Sequence, residues 1–136
     1  MHLPAITASY LAILALIYAA LAIRVASLRR SKRAVFGDAD NAELRAMIRS
    51  HANFAEYVPI ITLMVALLEA SGSRPLTVHL LMAALLLSRV LHPIGMHARP
   101  GTLQFTVGRV AGILITIAVL IAAALLILSR ITLTLF

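Results

Sequence analysis

Arg49, Asn53 and Glu56 stand four and three residues apart inside a segment otherwise apolar enough to enter a bilayer. The surrounding stretch, Arg45 to Pro59, also holds a second arginine, His51 and Tyr57. On a helix, Arg45, Arg49, Asn53 and Glu56 form one polar stripe. From Arg49 to Glu56 the stripe runs about 10 Å, enough to lay a small polar molecule along it. Guanidinium groups fork onto carboxylates, a glutamate accepts from an ammonium, and an asparagine serves either role. The pattern therefore suits a zwitterionic small molecule with several carboxylates. The competing reading is an internal ion-pair network that only locks helices together.

Composition decides what kind of chain carries this stripe. Its 136 residues are 62% hydrophobic and 12% charged, with five aromatic residues in every hundred. The mean hydropathy is +1.00. So few charges cannot cover a soluble domain of this size, and those present cluster between long apolar runs. The net charge of +7 reads as positive-inside topology and not as a nucleic-acid footprint. There is no cysteine, so any thiol chemistry must use a thiol brought by a ligand. The expected class is all-α: a single-domain integral membrane four-helix bundle.

Four elements must position the stripe. Residues 5–23 are uncharged, with Pro4 at the helix start, and the first helix is expected over about 4–28. Its positive charges follow the apolar run, so it is read as a retained helix and not a cleaved signal. Gly37, Asp38, Asp40 and Asn41 mark a turn, and Asn41 or Asp40 is placed to cap a second helix over 42–70 that contains Pro59. Residues 71–75 turn the chain back into a third helix over 76–97. The Pro100-Gly101 pair breaks the next connection, and the fourth helix follows over 105–130, with Arg130 expected to snorkel at its far end. Residues 24–49 and 89–109 hold ten of the twelve basic residues. Both loops are accordingly expected in the cytoplasm, with both termini outside the cell inner membrane.

Three polar groups are then expected at the inner face: Arg29 with Arg30, the stripe, and Arg89/His92 with Arg109. Arg89 and His92 are three apart and share a helix face. His92 and His97 are five apart among arginines, a poor arrangement for a metal. A proton-coupled exporter with Glu56 as its acid is a further candidate. Small four-helix exporters carry that acid on the first helix, however, where this chain has none, and the arginine-rich mouth would repel their cationic substrates.

The segment Arg49-x-x-x-Asn53-x-x-Glu56-Tyr57-x-Pro59 resembles, without a gap, the helix 2 motif of the membrane-associated proteins in eicosanoid and glutathione metabolism, the MAPEG family. The run Arg49-Ser-His51-Ala-Asn53-Phe54-Ala-Glu56-Tyr57 is most similar to bacterial members. Val25 to Arg30, Arg89-Val-Leu-His92 and Arg109 resemble the family's helix 1 end, helix 3 end and early helix 4. The resemblance implies a homotrimer with glutathione bound between neighbouring subunits. It implies that Arg29, Arg49, His51, Asn53, Glu56, Tyr57 and His92 hold glutathione, and that Arg109 is the catalytic residue that stabilises its thiolate. Several eukaryotic relatives have a tyrosine where this chain has Met96, so one hydroxyl contact is missing.

The function expected from this resemblance is a membrane-bound glutathione transferase, with peroxidase activity a variant of it. Its substrate would be a lipophilic electrophile entering from the bilayer; membrane lipids and further copies of the chain would be its partners, with no nucleic acid. The rival is a non-enzymatic membrane protein that binds a lipid or an acidic metabolite in the same crevice.

Overall fold

The computed structural model describes residues 3–99 and 101–135, and these form helices and turns. Helix α1 covers Ala5–Ser31, α2 Ala42–Ala70 and α3 Pro75–Met96. A short helix α4, Leu103–Phe105, leads through a π-helical segment, Thr106–Ala111, into α5, Gly112–Leu135. Ala5–Ser31, Ala42–Ala70, Pro75–Met96 and Leu103–Thr132 are each long and apolar enough to cross a membrane. The expected boundaries of α2 coincide with the observed ones. Helix α1 runs three residues further than expected, to Ser31, because Arg29 and Arg30 fill its last turn, where cations favour the helix dipole. The Pro100 half of the expected break lies outside the described residues; Gly101 adopts φ +84, which a side chain would resist.

Local sequence explains the starts of these elements. Asn41 caps α2 by accepting from the Leu44 amide at 2.9 Å. Thr102 caps α4 through the Phe105 amide at 3.2 Å. Pro75 opens α3, where its missing N–H costs nothing. Helix α2 continues through Pro59 as one element.

Helix α1 buries one narrow seam: Thr7, Leu14, Leu21 and Leu28, every seventh residue. It packs on Leu44, Met47, Phe54, Val58 and Ile61 of α2, while Val78, Met82 and Leu85 carry the core through α3. Ile6, Ile17 and Val25 flank the seam, while Leu11, Ile13, Leu16 and Ile23 point outward, as lipid contact permits. At the end of α2, the Glu69 carboxylate accepts from the Ile6 and Thr7 amides and the Thr7 hydroxyl, at 2.9, 2.8 and 2.6 Å. It thereby satisfies orphan donors in the first turn of α1. Arg130 does more than snorkel: it donates to the carbonyls of Ser71 and Gly72 and to Ser73 Oγ.

The fourth span departs most from expectation. Where an uninterrupted helix was expected, Thr106–Ala111 takes the wider π turn. Its cause is a backbone crossing. A methyl on Gly95 would lie 2.0 Å from the Arg109 nitrogen, and one on Gly108 would lie 2.5 Å from Gly95 Cα. The two glycines therefore let α3 and the π segment touch main chain to main chain. In a regular helix Arg109 and Thr116, seven apart, would lie within about 20° of each other. The wider turn separates them: Arg109 is exposed, whereas Thr116 is buried beside α3.

Candidate functional site

The C-terminal end of α1 and the N-terminal end of α2, with the loop between them, border an open recess of about 320 Å³ lined by Arg29, Gly37, Asp38, Arg45, Ile48 and Arg49. The stripe does not act as one unit here. Arg45 hydrogen-bonds Asp38 and lies 3.7 Å from Asp40, so its charge is spent on holding the loop. That guanidinium holds the Asp38 carboxyl below the usual carboxylate range. The loop needs such a tie, since Arg33, Ala39 and Asp40 all adopt positive φ. Among the described residues, Arg49 and Glu56 make no hydrogen bond or ion pair. Both are exposed. The ion-pair lock weighed above therefore does not account for them.

Asn53 is partnered from an unexpected direction. Arg89 of α3 is only 1% exposed, and its Nη1 donates to Asn53 Oδ1 at 2.6 Å and to the Asn53 carbonyl at 3.2 Å. Its Nε donates to Ser88 Oγ at 3.2 Å, and its Nη2 to Thr116 Oγ1. Ser88 donates its own proton to the Leu85 carbonyl and Thr116 donates to that of Gly112, so both oxygens are free to accept. No carboxylate among the described residues pairs with Arg89. Arg89, expected beside the site, is instead an interior junction of α2, α3 and α5.

His92, one turn further along α3, is 3% exposed, and its Nδ1 has no partner. It lies within electrostatic range of Arg49, Arg89 and Arg109. The Arg109 guanidinium is 5.3 Å from the centroid of the Phe105 ring, which braces it one turn away. Tyr57 is partly buried against the core and within electrostatic range of Arg89. Thus Arg49 and Arg109 lie within electrostatic range of His92 near the C-terminal end of α3, and Arg29 and Arg49 line the same recess.

His51 stands apart. It is about 200° around α2 from Arg49, stacked on Tyr18 of α1 with centroids 4.6 Å apart. Tyr18 also leans on Phe54, and both line an open apolar groove of about 550 Å³ between α1 and α2. The groove reaches from Pro4 to Tyr18, about 21 Å of helix. Sequence reasoning missed Tyr18, Thr116 and the Arg89–Asn53 pair. The readable signal was Ser88-Arg89 in the middle of an apolar helix, which demands buried acceptors.

The MAPEG family profile matches residues 7–129. The chain belongs to the MAPEG family. It is a membrane protein of that family, and the matched region takes in all four spans. The chain is also similar to the inner membrane protein YecN of Escherichia coli strain K12. The two are 33% identical over 94 residues, 69% of this chain and 72% of YecN. The same figures hold for YecN of Escherichia coli O6:H1 strain CFT073. No solved structure matches the chain significantly. Within a MAPEG chain, the unpaired Arg49 and Glu56 and the exposed Arg109 are the groups open to a ligand.

Proposed function

We propose that this MAPEG protein is a glutathione-dependent transferase acting on lipophilic electrophiles that enter from the bilayer. The observation that carries the reading is the pair of exposed guanidinium groups of Arg49 and Arg109, both within electrostatic range of His92 and neither paired with a carboxylate among the described residues. Two such uncompensated cations side by side repel each other and favour an anionic ligand that offsets them. Arg29 and Arg49 receive carboxylates of the tripeptide, Glu56 receives its ammonium, and Tyr57 and His92 contact the peptide. Arg109 is exposed and not committed to an ion pair, so it is available to a thiolate. A nearby cation lowers a thiol pKa and raises the fraction ready to attack.

The homotrimer belongs to the same proposal. Arg49 and His51 face nearly opposite sides of α2, so one glutathione does not reach both on a single chain. A ligand held between copies meets the stripe of one and His51 of the next. The loops at residues 32–41 and 97–102 lie in the cytoplasm on this reading, with the termini outside the inner membrane.

The test is calorimetric titration of the detergent-solubilised protein with glutathione, followed by conjugation of a chloronitrobenzene. Binding and turnover are expected. Absence of both refutes the reading, and bound lipid without glutathione in native mass spectrometry replaces it with the non-enzymatic one. Arg109→Ala should suppress the ultraviolet thiolate signal more than it weakens binding. Co-assembled Arg49→Ala and His51→Ala chains should recover part of the binding each lacks alone, since one interface in the mixture is intact.

A further inference from the structure

The hydrogen bonds of Arg89 fix which end of the Asn53 amide is offered to a ligand. A guanidinium has donors only, so the Asn53 atom 2.6 Å from Arg89 Nη1 must be the amide oxygen. That oxygen is therefore turned toward Arg89, and the amide nitrogen away from it. The two N–H groups of Asn53 make no hydrogen bond among the described residues. Asn53 is only half-buried, and it sits on the stripe between Arg49 and Glu56.

We infer that Arg89 is a positioning residue that holds Asn53 as an obligate donor, so that this point of the site selects a carboxylate or carbonyl and rejects an ammonium. The inference rests on the glutathione reading and assigns one subsite within it. Sequence left the choice open, since a free asparagine rotates to suit either partner. Arg89 removes that freedom. It is itself held by Ser88 Oγ, Thr116 Oγ1 and the Asn53 carbonyl, groups on three helices. It cannot swing away without stripping a buried charge of its hydrogen bonds, which is strongly unfavourable. The site thus divides its work along the stripe: Arg49 and Asn53 both take electron-rich groups, and Glu56 alone takes the ammonium.

Asn53→Asp separates this role from a merely structural one. The new carboxylate would still accept from Arg89, now as an ion pair, so the thermal midpoint should equal or exceed that of the wild type. Its outer oxygen would repel the ligand's acceptor, and the glutathione Kd should rise at least tenfold. An Asn53→Asp protein that binds glutathione as the wild type does overturns the inference and leaves the transferase reading intact.

Nuclear magnetic resonance of ¹⁵N-asparagine-labelled wild type gives a second measurement that needs no variant, because Asn41 and Asn53 are the only asparagines. Glutathione should shift the side-chain amide pair of Asn53 and leave that of Asn41, the α2 cap, in place. Binding without a shift at Asn53 overturns the inference. If the wild type binds no glutathione, the transferase reading falls. The amide is then read in the free protein, where exchange cross-peaks between the Asn53 amide protons and water support its outward orientation and their absence refutes it.

Discussion

Placing a methyl group at position 95 or 108 tests whether the fourth span is built on main-chain contact. A Cβ at 95 would meet the Arg109 nitrogen at 2.0 Å and Gly108 carbonyl carbon at 2.4 Å. One at 108 would meet both Cα and nitrogen of Gly95 at 2.5 Å. Ordinary carbon contacts lie near 3.5–4.0 Å, so α3 and the π segment must part by about 1–1.5 Å. The obstructing atoms are backbone, and no rotamer change relieves them. Overpacking of this kind costs about 3 kcal/mol, at the upper end of the usual range. Alanine returns about 1 kcal/mol in helix propensity, which leaves a net loss near 2 kcal/mol for either Gly95→Ala or Gly108→Ala. Gly112→Ala is the control. Its Cβ would lie 3.3 Å from His92 Cβ and the Ser88 carbonyl, a gap closed by a few tenths of an ångström. Propensity and crowding nearly cancel there, so a change within about 0.5 kcal/mol is expected. Equilibrium unfolding in mixed detergent micelles, with SDS as denaturant, measures all three. If Gly95→Ala and Gly108→Ala both unfold with the wild-type free energy, the crossing is not as tight as described and the account of the π turn is wrong.

Other consequences are checked more briefly. Glu69→Ala removes a carboxylate that satisfies two amides and a hydroxyl in α1, and should destabilise the fold by about 2 kcal/mol in the same unfolding assay, more than Thr7→Ala does. Tyr18→Leu keeps the apolar volume but breaks the stack on His51, an arrangement worth about 1 kcal/mol, and should raise local amide exchange around His51 without unfolding the bundle. Because its hydrogen bond from Arg45 depresses the Asp38 pKa, the stability this pair gives the loop is present above the ordinary aspartate value of 3.8 and is lost as pH falls through the lower folded value. Amide protection at residues 37–40, taken relative to intrinsic exchange at each pH, should therefore stay flat from pH 7 to pH 4 and fall only on further acidification, a fall that Asp38→Asn abolishes.

The spans were legible because lipid-facing residues obey a simple rule: an uncharged run of sufficient length crosses, and polar residues mark its ends. A cap at Asn41 or Asp40, the bounds of α2 and a turn over 71–75 follow from residue type alone; the structure settles the cap on Asn41 and starts α3 already at Pro75. The family, too, was readable from Arg49 to Pro59. The pairing within the site was not. Arg89 and Asn53 are 36 residues apart, and nothing on either helix says that one faces the other. Nor does periodicity reveal the π turn, since it arises from two glycines on different helices meeting. Glu69 left a fainter trace: an acid at the end of an apolar helix requires donors, and the opening turn of α1 supplies them only once the helices are assembled.

The surplus residue in Thr106–Ala111 also bears on how the chain tolerates changes in length. A single-residue deletion at the start of α5 would rotate the rest of that helix by about 100° and carry Val119 and Ala123 off the core. Within the π segment, the same deletion is absorbed by tightening one turn to regular pitch, and the helix beyond it keeps its lipid and core faces. Insertions and deletions among natural relatives are therefore expected to collect at this turn, where they would re-aim Arg109 while sparing the membrane anchor. The direction in which this arginine points is a property that this fold is free to vary.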